Sequence, residues 1–130
     1  MKSIYYMTWG FGAFFLLIEN LRRGVSYFSV NATTMIEDYL MGVVFIAAAF
    51  MYQRDRELGT KLIIAAWAYA VGGMFVPFAA HLEAFLRGET VRADHVHTDV
   101  NSIILKGVVW LICIVVFSLA IKKQKALEQA

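Results

Sequence analysis

VNSIILKGVVWLICIVVFSLAI, residues 100–121, holds a single charged side chain, Lys106, in 22 positions. A bilayer core takes about 20 helical residues to cross, so this stretch reads as a membrane-spanning helix. Three stretches of the same kind precede it, at residues 4–28, 34–52 and 60–86. In hydrocarbon, every backbone polar group must find its partner within the protein, which favours helices wherever a chain is uniformly apolar. The expected fold is therefore all-α. It is an up-down-up-down bundle of four transmembrane helices forming one domain over residues 1–130.

Composition agrees. Hydrophobic residues make up 60% of the chain and the mean hydropathy is +0.62, above the roughly 45–50% apolar content of soluble domains. A net charge of +2, with basic residues spread over helix ends, excludes a nucleic-acid surface. Cys113, the single cysteine, can form no internal disulfide and suits a small apolar filler. Met1-Lys2 and the run after it imitate a signal peptide. That run continues past the usual 7–15 residues without a small-residue cleavage site, so it reads as a retained first span.

Lys2, Arg54, Arg56, Lys61, Lys122, Lys123 and Lys125 fall on one side of the four spans. Arg22, Arg23, Arg87, Arg92 and Lys106 fall on or towards the other. The more basic side is expected to be cytoplasmic. Both termini are then inside, in a bacterial inner membrane, with the connection at 53–59 inside and those at 29–33 and 88–98 outside. Thr34-Met35-Ile36-Glu37 fits a capping box opening the second span, and Asp99 is the expected N-cap of the fourth. Pro77 should kink the third span and leave a carbonyl near Gly73 without its donor.

The inner half of every span is nearly pure hydrocarbon, whereas the outer half carries Glu19, Arg22, Arg23, Glu37, Asp38, His81, Glu83, Arg87 and Lys106. Ionisable groups in spans usually face a bundle interior or a watery cavity. Helical spacing puts one of them on the small-residue face of each segment: Glu19 with Thr8 and Gly12, Asp38 with Gly42, His81 with Gly73 and Pro77, Lys106 with Ser102 and Cys113. All four lie roughly 6–10 Å below the outer helix ends at about 1.5 Å per residue. They are the expected lining of an outward-facing polar pocket, supported by Arg22, Arg23 and Glu83. Such a pocket would bind an ion or a small polar or amphiphilic ligand, in transport or sensing.

Two other readings stand beside this one. Four acids and four bases in the outer half can balance as interhelical salt bridges, with Glu19 facing Arg23 and Glu83 facing Arg87 one turn apart. The chain would then be a structural or accessory subunit of a larger membrane complex. Alternatively, His95-Val96-His97, with His81 beneath the same loop, could complete a zinc or copper site in a membrane enzyme. No Gly-rich phosphate loop, Cys-x-x-Cys, nucleophile elbow or Glu-x-x-His pair is present, so the residues favour a protein that is not an enzyme. Ala66 and Ala70 on the third span are the small residues expected to remain for homo-oligomer contacts.

Overall fold

The computed structural model describes residues 1–90 and 99–129, apart from the side chains of Glu19, Arg23 and Leu127. Four α-helices account for nearly all of it: α1 (Lys2–Arg23), α2 (Ala32–Arg54), α3 (Arg56–Arg87) and α4 (Val100–Glu128). A short 3-10 helix (Val25–Ser29) joins α1 to α2. Successive helices pack side by side as a bundle, and among the described residues there is no strand. Three of the helices, α2, α3 and α4, are long and apolar enough to cross a membrane, as in an integral membrane protein. Helix α1, with 22 residues, would reach about 33 Å.

The local boundaries correct the sequence expectation in three places. First, α1 stops at Arg23 rather than near residue 28. Gly24 has φ 77° and ψ 162°, a region that costs any residue with a Cβ heavily, and its N–H caps the Asn20 carbonyl. Two residues are gained at the other end, where the helix begins at Lys2. Second, the connection expected over 53–59 shrinks to one extended residue. Asp55 accepts from the Leu58 N–H at 3.0 Å and so caps α3, while Glu57 and Lys61 pair one turn apart at 2.6 Å. Third, the N-cap of α2 is Asn31, whose side chain accepts from the Thr34 N–H at 3.1 Å, and not Thr34. Asp99 caps α4 as expected, accepting from Ser102 N–H at 3.2 Å. Helix α3 runs on through Pro77.

Packing is closest away from the charged end. Trp67, Phe45, Ile63, Ala66, Ala70 and Cys113 are completely buried. Phe11, Phe45 and Trp67 meet with ring centroids 4.8–6.4 Å apart. Buried Thr8 is fully partnered: its hydroxyl donates to the Ile4 carbonyl at 2.7 Å and accepts from Trp67 Nε1 at 3.0 Å. That second bond ties α1 to α3. Gly12 and Gly42 let α1 and α2 approach, since a Cβ on Gly42 would lie 3.0 Å from the Gly12 carbonyl oxygen. Ala66 and Ala70 face this interior, so they are not available as an oligomer face. Their burial removes the basis on which homo-oligomer contacts were expected there.

Candidate functional site

Towards the charged end the interior opens into a cavity of about 350 Å³, within the roughly 300–1,000 Å³ of small-molecule sites. All four helices contribute to its wall. Phe14, Phe15, Ile18 and Arg22 come from α1, with Tyr27 from the 3-10 helix and Asn31 beside it. Helix α2 adds Thr34, Glu37, Asp38 and Met41. Tyr69, Gly73, Met74, Val76, Pro77 and His81 come from α3, and Leu105, Lys106 and Val109 from α4.

Local folding explains how these groups meet. The break at Gly24 places the 3-10 helix against α1 and α2, with Tyr27 buried at 7% exposure. The Asn31 cap starts α2 early enough that Glu37 and Asp38 fall in its second turn. Arg22 at the end of α1 donates through Nη2 to the Ser102 hydroxyl at 3.2 Å, which holds α1 beside the start of α4, one turn from Lys106. Asn20 donates to the Leu16 carbonyl at 3.0 Å and to the Tyr39 hydroxyl at 2.6 Å, joining α1 to α2 at the same level. Pro77 lacks an N–H, so the Gly73 carbonyl one turn earlier has no helical donor, and both residues line the cavity.

Of the residues singled out from the sequence, Arg22, Asp38, His81 and Lys106 line this one cavity. Each of the four, like Tyr27, is engaged by neighbours within the protein. Glu19 and Arg23 belong to the last turns of α1, but their side chains lie outside the described residues, and with them the expected pairing of Glu19 and Arg23. Glu83 is elsewhere. It pairs with Arg87 at 2.6 Å, both side chains about 60% exposed, beside a shallow groove on the outer flank of α3. His95 and His97 also lie outside the described residues. Among those described, no three His, Cys, Asp or Glu side chains gather closely enough to hold a metal.

Sequence reasoning missed Tyr27, Asn31, Thr34 and Tyr69 as lining, and it assigned Glu37 to a cap. Asn31 was readable as a cap residue one turn before Thr34. Tyr69 stands one turn before Gly73, on the stripe already followed through Pro77 and His81.

Electrically the wall is divided. The basic side chains Arg22 and Lys106 come from α1 and α4, whereas the acidic Glu37 and Asp38 come from α2. The rest of the lining is largely apolar, and below it lies the closely packed layer around Trp67 and Cys113. The arrangement can hold a small group carrying both charges or hydrogen-bonding atoms, with an apolar part against Phe15, Met41, Met74 and Val109. No family model matches the chain, and no curated protein or solved structure is detectably similar to it.

Proposed function

We propose that this chain is a small integral membrane protein in which all four helices span, with both termini cytoplasmic. The cavity would then be an outward-facing site for a small polar or amphiphilic ligand, or an ion. The observation that carries this reading is the meeting of Arg22, Asp38, His81 and Lys106, one from each helix, around a single cavity. A network that only fastened helices together would close on itself and need no space. The packed layer beneath the cavity favours binding, in sensing or in an occluding transport cycle, over an open pore. The lysine and arginine distribution supports this orientation, and a bacterial inner membrane is the location proposed with it.

Cysteine accessibility tests the site. Val109 lines the cavity and Cys113, one turn deeper, is completely buried. In sealed vesicles of known orientation, Val109→Cys should react with a small impermeant thiosulfonate added from the outer side. Native Cys113 should not. Equal inertness of both positions would mean that the cavity is closed to water.

A further inference from the structure

The cavity wall changes character along its depth in the same direction as a phospholipid, and one flank of it is exposed. His81, Asp38 and Lys106 form the polar level. From His81 the α3 lining descends through Pro77, Val76 and Gly73 to Tyr69, about 18 Å at 1.5 Å per residue, and over that distance it bears no charge. Val76 is 64% exposed and Tyr69 39% exposed, although both line the cavity. Seven residues apart, they share one face of α3. Gly73 lies between them, and a Cβ there would sit 2.7 Å from Met41 Cε of α2. The exposed lining therefore runs along the seam between α2 and α3. In a chain whose α2 and α3 cross a membrane, that seam opens onto acyl chains.

We propose that the cavity takes the headgroup of a zwitterionic phospholipid bearing a primary ammonium, of the phosphatidylethanolamine type, entering sideways from the bilayer between α2 and α3. This rests on the binding-pocket reading above and names its ligand class. Arg22 and Lys106, on the α1 and α4 side, face the phosphate. Glu37 and Asp38, on α2, accept from the ammonium. A trimethylated ammonium offers no N–H to them, and an anionic headgroup brings no cationic group of its own to the carboxylates. One acyl chain leaves along Val76 and Tyr69. The volume of about 350 Å³ suits a headgroup rather than a whole lipid.

The test reconstitutes the full chain in nanodiscs of equal parts phosphatidylethanolamine, phosphatidylcholine and phosphatidylglycerol with identical acyl chains. Retained lipid is then read by native mass spectrometry. One lipid should remain, with the ethanolamine form favoured over the choline form by about tenfold, the size of one charge-assisted hydrogen bond. Asp38→Asn should reduce that preference to near parity. Val76→Trp alters an exposed position, so the fold should survive, and it should abolish retention by filling the seam. A parallel arm offers glycerophosphoethanolamine, the headgroup without chains, and reads protection against thermal unfolding. Protection by this soluble compound with no lipid retained would overturn lateral lipid binding while leaving the pocket reading intact. Equal retention of all three lipids, or preference for the glycerol form, would overturn the headgroup assignment. If Val109→Cys were also inert to the thiosulfonate, the pocket itself would fall.

Discussion

The joint between α2 and α3 offers the sharpest stability test. Only Asp55 interrupts the two helices, so α3 must turn back within a residue and pass directly over the last turns of α2. Gly59 makes that possible. A Cβ placed on it would lie 2.2 Å from Tyr52 Cα and 2.3 Å from Tyr52 N. Both are backbone atoms, with no flexible side chain to yield. Relieving the clash requires the two helices to separate by more than an ångström at a point where Gly59 and Tyr52 are both buried. Overpacking of this kind costs about 1–3 kcal/mol and sometimes more. A clash with backbone belongs at the upper end of that range, about 2–3 kcal/mol, and the gain in helix propensity from glycine to alanine is about 1 kcal/mol, so Gly59→Ala should still destabilise, by about 1–2 kcal/mol. Gly72 supplies the control. It lies in the same helix, and a Cβ there meets nothing within 4 Å, so Gly72→Ala should keep most of the propensity gain. The two variants should therefore differ by about 2–3 kcal/mol in reversible unfolding from mixed micelles. If Gly59→Ala proved as stable as Gly72→Ala, the tight one-residue joint would be wrong.

Trp67→Phe should cost about 1–2 kcal/mol in the same assay, since hydrogen bonds between membrane helices average about 0.6 kcal/mol and reach about 1.7; a loss above 3 kcal/mol would mean that Trp67 does more than bond Thr8 and fill space. Asp99, outside the spans, is held below its ordinary 3.8 first by the Ser102 hydroxyl and then by the Ser102 N–H. Its cap is thus fully formed above pH 3.8 and lost as pH falls through the lowered value, so hydrogen exchange at residues 100–103 should accelerate only in that acid range and Asp99→Asn should remove the pH dependence. For topology, cysteines at Asn31 and Thr90 should react with an impermeant maleimide from outside and one at Glu57, whose side chain is exposed, should not; the reverse pattern would place the charged end in the cytoplasm.

Helix existence was legible because uninterrupted apolar runs leave the backbone no alternative. Boundaries were harder where charge imitated a loop. Arg54, Asp55, Arg56 and Glu57 read as a turn, yet Asp55 caps, and Glu57 with Lys61 supports the first turns of α3. The end of α1 was signalled by Gly24 after two arginines, a C-terminal pattern that the demand for span length overrode. Facing was the weakest inference. A membrane helix is apolar towards both lipid and core, so the periodicity that orients a soluble helix carries little direction. Ala66 and Ala70 were accordingly assigned to the outside, although they lie at the centre. Charged groups escape this ambiguity because lipid rejects them: Asp38, His81 and Lys106 were expected at one level and line one cavity, whereas Glu19, expected with them, has its side chain outside the described residues and Arg22, expected only in support, lines the cavity. Glu83 was the exception: near the end of α3 it reaches Arg87 on the outer flank, where two opposite charges offset each other.

The most direct measurement is an experimentally determined structure in lipid nanodiscs at a resolution that shows ordered small molecules. Water, ion, headgroup or other ligand density should lie within hydrogen-bond reach of at least two of Arg22, Asp38, His81 and Lys106, in a cavity open at the charged end or along the α2–α3 seam. Those four side chains closed on one another and their neighbours, with no space for even a water, would contradict the site and leave a purely structural network in its place.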